Sequence, residues 1–200
     1  MLNQLFITFD GQHGSGKSYI IKYLNNRLLS LGYSVITTSE PTDNEIGKIA
    51  RGSEHKYTGK TLACLFAADR HQHCDFVLRE LSGYDIILCD RYIISALILQ
   101  NMDGIEFDYI FSINKDIIKP NIQIVLYADN NLIIERLKHK DMSRLTKQEL
   151  NENYDRYLYH KSDLENYVGN IKYLPNNSIE DANIIFEYVL EQINIRGTSK

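Results

Sequence analysis

One octapeptide restricts the possible folds of this chain more than any other feature. Residues 11–18 read Gly-Gln-His-Gly-Ser-Gly-Lys-Ser, which fits the pattern G-x-x-x-x-G-K-[ST]. An apolar stretch precedes the octapeptide at residues 5–9, and apolar residues follow it at helical spacing from Ile20 to Leu31. We therefore predict a strand, a glycine-rich turn and a helix that begins near Lys17.

The predicted turn has the properties of a polyphosphate-binding loop. The first N–H groups of a helix lack intrahelical partners, and the helix dipole adds positive charge there. Glycines let the backbone approach phosphates closely. We expect Lys17 to reach the β- and γ-phosphates of a nucleotide and Ser18 to bind Mg²⁺ through its hydroxyl. The alternative is an ordinary glycine turn that fits the pattern by chance, but the flanking strand and helix favour nucleotide binding. The ATP-binding residues predicted on the loop are Gly11, Gln12, His13, Gly14, Ser15, Gly16, Lys17 and Ser18.

Composition and charge exclude several classes of function. The 200 residues suit one domain, and a hydrophobic fraction of 44% suffices for a core, so we predict a single domain over residues 1–200. The formal net charge of -4 disfavours binding to a nucleic-acid polymer. The sequence shows neither a long apolar run nor a secretory signal, so we expect no membrane association and a cytoplasmic location.

The cysteines and histidines do not indicate a metal site. Cys64, Cys74 and Cys89 are odd in number and form no C-x-x-C pair. His71, His73 and Cys74 are close in sequence, but helical residues one or two positions apart point in different directions. These side chains therefore cannot converge on one ion.

Short apolar segments alternate with amphipathic ones along the chain. The predicted strands are 5–9, 34–38, 85–89, 122–127 and 171–174. The predicted helices are 17–31, 58–81, 93–101, 131–139, 147–167 and 180–193. Because several strands are apolar on both faces, we predict an α/β fold: a three-layer α/β/α sandwich with a five-stranded parallel sheet. Ligands bind such sheets beyond the carboxyl ends of the strands.

An acid and an arginine follow the third predicted strand. Asp90 stands at the tip of this strand, where it can hold Mg²⁺ or its water ligands. Arg91 can clamp a phosphate with its planar guanidinium. The alternative is a strand-ending acid beside a surface arginine. The neighbouring glycine-rich loop favours the functional interpretation.

The long predicted helix at 58–81 carries charge on its apolar stripe. Asp69 and Arg70 interrupt this stripe, although core helices avoid unpaired charges. Phe66 lies one turn before Arg70, so the two could stack on a base and hydrogen-bond its edge. The alternative is a packed Phe66 and an ion pair between Asp69 and an arginine.

Two further segments carry candidate residues for anion binding. After the second strand, Pro41 predicts a stiff bend, and a short helix presents Arg51. After the fourth strand comes a basic segment, which we interpret as a mobile lid at about residues 136–149 that closes over the triphosphate. The alternative is a solvated basic face. The basic residues of this segment are Arg136, Lys138, His139, Lys140 and Arg144.

From Leu5 to Ile193 the chain resembles the thymidylate kinase family of P-loop nucleoside monophosphate kinases. The resemblance rests on segments 9–18, 38–42, 65–70 and 90–92, and the junction at 178–181 is similar to the family's last strand-to-helix junction. It implies transfer of the ATP γ-phosphoryl group to dTMP, giving dTDP, within pyrimidine deoxynucleotide biosynthesis. It also implies Mg²⁺, lid closure and a homodimer.

The resemblance assigns roles at the acceptor nucleotide. Phe66 would stack on thymine, and Arg70 would bond its carbonyl edge. Arg51 and Arg91 would hold the acceptor phosphate, and Ser95 would lie near the base. His13 would contact the sugar 3′-hydroxyl.

The resemblance also assigns the catalytic and metal-binding groups. Lys17, Asp90, Arg91 and Arg144 would be catalytic, with Ser18 and Asp90 at the metal. Some family members place a catalytic arginine in the phosphate loop, whereas others use the lid. Because this chain has Gly14 at the loop position, Arg144 is the expected lid donor and Arg136 the second candidate.

The chain departs from the family pattern at four positions. His13 stands where an acidic residue is usual, Ser39 where an arginine is frequent, and Leu99 where an aromatic is usual. Asp10 replaces the more common glutamate. The first three positions concern the acceptor site and leave two alternatives open: a kinase for another, modified pyrimidine nucleotide or a nucleoside, and a non-catalytic ATP-binding regulatory module.

Overall fold

A five-stranded parallel sheet forms the centre of the protein. The computed structural model describes residues 4–80, 83–151 and 155–198. The strand order is β2-β3-β1-β4-β5, with every neighbouring pair parallel. The predicted α/β/α sandwich is therefore confirmed. The strands are β1 (Leu5–Asp10), β2 (Val35–Ser39), β3 (Ile86–Asp90), β4 (Ile122–Tyr127) and β5 (Lys172–Pro175).

Helices cover both faces of this sheet. They are α1 (Lys17–Ser30), α2 (Glu45–Gly52), α3 (Gly59–Glu80), α4 (Ile93–Asn101), α5 (Phe107–Ser112), α6 (Asn130–Leu137), α7 (Arg144–Leu150), α8 (Arg156–Tyr159), α9 (Lys161–Val168) and α10 (Ile179–Thr198). Among the described residues, no helix combines the length and the apolar character that crossing a membrane requires.

The alternation of side chains along β1 shows how the two layers are built. Leu5, Ile7 and Phe9 are buried on one face, in a core that includes apolar residues of α1 and α10. Phe6 is buried on the opposite face, in a second core with residues of α3, α4 and α9. Apolar residues on both faces of a strand are typical of a covered parallel sheet.

One predicted helix is wrong in the structure. Instead of one continuous helix over 147–167, the structure has three shorter helices: α7, which begins at Arg144, followed by α8 and α9. Residues 152–154 lie outside the described residues, and so does Leu81, the predicted end of the helix over 58–81. Ser143 caps α7 by accepting a hydrogen bond from the Thr146 N–H. Asp155 caps α8 in the same way. The Ser143 cap thus starts α7 before the predicted helix, whereas the Asp155 cap starts a new helix inside it. Helix α5 was not predicted.

Strand register brings the functional segments to one edge of the sheet. Phe9 of β1 pairs with Asp90 of β3, and Asp90 pairs in turn with Ser39 of β2. On the other side, Asp10 pairs with Val125 of β4. The loops that leave these strands therefore start side by side, at the carboxyl ends of the strands, where open parallel sheets bind their ligands.

Candidate active site

The glycine-rich turn between β1 and α1 forms a tight cradle. Gly16 has φ 87° immediately before α1, and a Cβ atom there would lie 2.3 Å from the Asn176 Nδ2 atom. A Cβ atom on Gly11 would lie 2.1 Å from the Leu126 carbonyl oxygen. Only glycine fits these two positions without a shift of the surrounding structure.

The lysine of the loop lies inside the cradle. Lys17 is buried, and its Nζ atom donates to the carbonyl oxygens of Gly11 at 2.8 Å and Gln12 at 3.0 Å. Burial and the nearby charge of Arg91 lower the pKa of Lys17 to about 8. The ammonium group is thus still charged at neutral pH, and polyphosphate oxygens can replace the two carbonyls as its partners.

Two oxygen groups beside the cradle fit a magnesium ion. Ser18 lies in the first turn of α1 and donates its hydroxyl proton to Asp90 Oδ2 at 2.7 Å. A hydroxyl and a carboxylate are hard oxygen ligands of the kind that Mg²⁺ prefers, together with phosphate oxygens and water. The structure therefore brings together the two predicted metal ligands.

A cavity of about 720 Å³ opens over the loop. Lys17, Arg91 and Arg136 line it, so cationic groups surround the space in front of the cradle. Lys140 of the basic segment lines it too. Ser178 and Ile179 of the predicted strand-to-helix junction at 178–181 also lie at this cavity. The arrangement is suited to a polyanion with a base attached.

Arg136 of α6 contacts the phosphate loop. Its Nη1 atom donates to the Gly14 carbonyl at 3.1 Å, and its Nη2 atom donates to the Asn176 carbonyl at 3.0 Å. Asn176 in turn donates to the Ser15 carbonyl at 2.7 Å. Asn176 is a loop contact that sequence reasoning missed, because its partners are far away in sequence.

The turn after β3 is held by the buried carboxylate of Asp10. Its Oδ1 atom accepts hydrogen bonds from the N–H groups of Tyr92 at 3.0 Å and Ser95 at 2.9 Å. Arg91 lies inside this turn with φ 70°, a left-handed conformation that non-glycine residues rarely adopt. Asp10 thus fixes the backbone that aims Arg91, and burial raises the pKa of the Asp10 carboxyl.

A second, smaller cavity of about 120 Å³ adjoins Arg91. Phe66, Arg70 and Ser95 line it, so it contains most of the residues predicted to bind the acceptor. Leu99 lines it as well. His13 and Arg91 line both cavities, and these two side chains therefore mark where the cavities meet.

A buried polar network orients Arg70. Its Nε atom donates to Glu40 Oε2 at 2.7 Å, and its Nη1 atom donates to Asn114 Oδ1 at 2.8 Å. His73 Nδ1 contacts the other oxygen of Glu40 at 2.9 Å. Among the described residues, Nη2 of Arg70 has no protein partner and remains for a ligand in the small cavity.

The structure does not show the alternative ion pair between Asp69 and an arginine. Asp69 accepts hydrogen bonds from the backbone N–H and the hydroxyl of Thr42. Arg70 pairs with Glu40 instead. The two charges on the α3 stripe are thus both satisfied by the segment that follows β2.

Two of the predicted site arginines, Arg51 and Arg144, line neither cavity. Arg51 is exposed on α2 and donates to the Pro41 carbonyl at 2.7 Å and to Asp43 at 3.1 Å. Arg144, the first residue of α7, forms an ion pair with Asp103. Their predicted roles in phosphate binding and catalysis stay predictions, and each would require a rearrangement of the side chain.

A glutamate outside the set of predicted site residues contacts the phosphate loop. Glu149 of α7 is almost fully buried, and its Oε2 atom lies 2.8 Å from His13 Nδ1. Burial and the charge of Arg91 lower the pKa of His13 to about 4. Burial alone would raise the pKa of Glu149, but the hydrogen bonds from His13 and the charge of Arg91 lower it.

Comparison with known proteins gives one consistent family. A family model described as thymidylate kinase matches residues 9–183. A probable thymidylate kinase of Methanocaldococcus jannaschii is 35% identical over 161 residues, which cover 79% of this chain and 82% of the relative. A thymidylate kinase of Bacillus licheniformis is 32% identical over 204 residues, with 96% of this chain and 94% of the relative covered. The residues matched by the family model include the phosphate loop, the α3 stripe and the turn after β3.

Proposed function

The chain belongs to the thymidylate kinase family, and from that premise we propose that it transfers the γ-phosphoryl group of ATP to dTMP, giving dTDP and ADP. One observation carries the proposal: a polyphosphate cradle and a small cavity with an aromatic ring and an arginine meet at Arg91 and His13. Donor and acceptor can therefore lie with their phosphates facing each other.

At the donor end, the phosphate loop binds and orients ATP. Backbone N–H groups at the start of α1 point toward the phosphates, and Lys17 exchanges its two carbonyl partners for phosphate oxygens. Ser18 and Asp90 would hold Mg²⁺. When bound, Mg²⁺ neutralises charge on the β- and γ-phosphates.

At the acceptor end, the small cavity selects a base. Phe66 offers an aromatic face for stacking, and Arg70 presents the N–H groups that Glu40 and Asn114 leave free. Ser95 Oγ accepts a hydrogen bond from Arg91 Nη1 at 3.1 Å, which places Ser95 between the base region and the phosphate region. Arg51 would contact the acceptor phosphate only after leaving Asp43.

The transfer itself needs positioning more than covalent chemistry. The acceptor phosphate oxygen is already anionic, so it can attack the γ-phosphorus in line without an enzyme base or a covalent intermediate. Arg91 stands where the two cavities meet, and Lys17 stands at the donor phosphates, so both face the charge of the transition state.

The segment at about residues 136–149 is proposed to close over the donor as a lid. Arg136 and Lys140 already line the larger cavity. Arg144 is proposed as a further donor to the transferred phosphoryl group, reached once its contact with Asp103 opens. Closure would exclude water, which otherwise competes as a phosphoryl acceptor.

An assay of ADP release across several acceptors tests the proposed function. The purified protein is given ATP, Mg²⁺ and one acceptor at a time, from thymidine, dTMP, dUMP, UMP and dCMP. We expect saturable turnover with the highest kcat/KM for dTMP. Turnover with thymidine alone would indicate a nucleoside kinase. Tight ATP binding without transfer to any acceptor would indicate a regulatory module and would overturn the proposal.

Two further properties follow from the family resemblance and the sequence rather than from a contact in the structure. We propose a homodimer, which sedimentation velocity would detect as a species of twice the chain mass. We also propose that the protein acts in the cytoplasm, which cell fractionation followed by immunodetection would test.

A further inference from the structure

His13 is held by Glu149 through two separate hydrogen bonds. Glu149 Oε2 accepts from the backbone N–H of His13 at 3.1 Å and lies 2.8 Å from the ring atom Nδ1. The residues are 136 positions apart, one in the phosphate loop and the other on α7. The Glu149 side chain is only 3% exposed. The contact therefore joins the lid helix to the loop.

This contact decides which ring nitrogen of His13 carries the proton. An ionised carboxylate only accepts hydrogen bonds, so Nδ1 must be the donor. The charges of Arg91 and Lys17 face the ring and disfavour a second proton. The neutral ring then has a lone pair on Nε2. Among the described residues, Nε2 has no protein partner.

The His13 side chain lies at the cavity that we propose for the acceptor nucleotide. His13 and Arg91 both line the small cavity, together with Phe66 and Arg70. A base at Phe66 and a 5′-phosphate at Arg91 leave the sugar between them. The sugar of dTMP carries a single hydroxyl group, at the 3′ position, and that hydroxyl can donate a hydrogen bond.

We propose that Glu149 is a positioning residue that holds the proton of His13 on Nδ1, so that Nε2 accepts a hydrogen bond from the 3′-hydroxyl of the acceptor nucleotide. The inference rests on the proposed function and adds a residue to its acceptor site. It also makes the docking of α7 a condition for recognition of the sugar. A purely structural Glu149 would instead dock α7 without affecting sugar recognition.

Paired substrates separate these two roles. The assay compares kcat/KM for dTMP with kcat/KM for 3′-deoxy-dTMP, which lacks the only sugar hydroxyl. We expect the wild-type protein to prefer dTMP by about tenfold, the size of one lost hydrogen bond in a polar site. The glutamine of Glu149→Gln no longer enforces the position of the proton. The preference for dTMP over 3′-deoxy-dTMP should therefore fall to about threefold or less, with little change in kcat/KM for 3′-deoxy-dTMP. Glu187→Gln, an identical change at an exposed position of α10, is the control.

A second background makes the comparison specific for His13. In the His13→Asp protein, the carboxylate at position 13 accepts the hydrogen bond from the 3′-hydroxyl directly, and it does not need Glu149 to hold a proton in place. Adding Glu149→Gln to this background should leave the preference for dTMP unchanged or raise it, because two adjacent carboxylates repel. Equal losses for both substrates in both backgrounds would assign Glu149 a structural role and overturn the inference.

A spectroscopic measurement tests the proton position without any turnover. Ring ¹⁵N shifts of the wild-type protein should show His13 protonated on Nδ1, and the His13→Asn variant identifies the signal. In Glu149→Gln the population should shift toward Nε2. An Nε2-protonated His13 in the wild-type protein overturns the inference.

The outcomes for the inference and for the proposed function are distinguishable. A wild-type protein that phosphorylates dTMP and 3′-deoxy-dTMP equally well overturns the inference and leaves the proposed function standing. A wild-type protein that phosphorylates neither overturns the proposed function and the inference with it. Circular dichroism and a melting curve for each variant show whether a loss of activity reflects a loss of folding.

Discussion

Arg144 and Asp103 form a two-point ion pair that turns the guanidinium away from the phosphate cavity. Nη1 of Arg144 lies 2.6 Å from one carboxylate oxygen of Asp103, and Nη2 lies 2.8 Å from the other. Nε donates to the Glu54 carbonyl at 3.2 Å. All three nitrogens of the guanidinium thus have partners outside the cavity, so any catalytic use of Arg144 requires this pair to open.

The first prediction concerns this pair. We expect Arg144→Ala to lower kcat by about a hundredfold, because one donor to the transition state is typically worth about that much. Asp103→Asn should lower the KM for ATP, since it weakens the contact that competes with the nucleotide for Arg144. Steady-state kinetics with varied ATP measures both effects.

Arg136→Ala is the comparison variant for the proposed lid. If both Arg144→Ala and Asp103→Asn leave kcat within about twofold while Arg136→Ala lowers it strongly, Arg136 is the lid donor and the pair with Asp103 only stabilises the fold.

The second prediction concerns the lysine of the loop. In the wild-type protein the Lys17 ammonium group exchanges its two carbonyl partners for phosphate oxygens when ATP binds. Lys17→Ala removes this charge, so kcat should fall by about a hundredfold, corresponding to roughly 3 kcal/mol in the barrier. Lys115→Ala, an exposed lysine outside both cavities, is the control. Near-normal turnover of Lys17→Ala in the ADP-release assay would contradict the proposed role.

Much of the site could be predicted because it is encoded in short, local patterns. The phosphate loop needs only the apolar strand before it and the amphipathic helix after it to define its position. Asp90 and Arg91 follow an apolar strand, and parallel strands end at one edge of the sheet, so their proximity to Ser18 was predictable. The strand limits agree within one residue for the same reason.

The remaining parts of the site depend on contacts between distant segments. Glu149 lies within the predicted helix over 147–167, which the structure divides where Asp155 caps α8, and nothing local indicates that Glu149 reaches His13. Glu40 precedes a proline in the sequence, and its two partners on α3 are at least 30 residues away. Hydrophobic periodicity carries no information on such polar pairings.

The third prediction concerns the buried network at Glu40. Glu40→Gln removes the only carboxylate shown to pair with Arg70 among the described residues, and it leaves a buried cation with weaker partners. We expect the free energy of unfolding to fall by on the order of 3 kcal/mol, with a higher KM for dTMP because Arg70 loses its orientation. Urea denaturation and acceptor kinetics measure the two effects.

Asp75→Asn is the matched control, because it removes one negative charge from an exposed position on α3, the helix of Arg70. It should change the free energy of unfolding by less than about 0.5 kcal/mol. If Glu40→Gln is equally neutral, the network does not hold Arg70 in place.

The fourth prediction concerns the pH dependence of sugar recognition. His13 faces Arg91 and Lys17, which repel a second ring proton, and Glu149, which attracts one. Burial and Arg91 prevail, and the pKa of His13 falls from 6.5 to about 4. The ring therefore remains neutral, and its Nε2 atom remains an acceptor, down to about pH 5.

This pKa fixes the sign of two measurable effects. The preference for dTMP over 3′-deoxy-dTMP should stay constant from about pH 8 to 5.5, whereas a fall centred near pH 6.5 would contradict the low pKa. In the unfolded chain His13 binds its proton at the ordinary pKa, so between pH 6.5 and about 4 the unfolded state holds more protons than the folded state. Lowering the pH through this window should therefore destabilise the wild-type protein more than the His13→Asn variant, which has no titrating group at that position. Urea denaturation of both proteins at about pH 7 and pH 5 gives the difference, and an equal loss of stability in the two would show that His13 does not titrate as proposed.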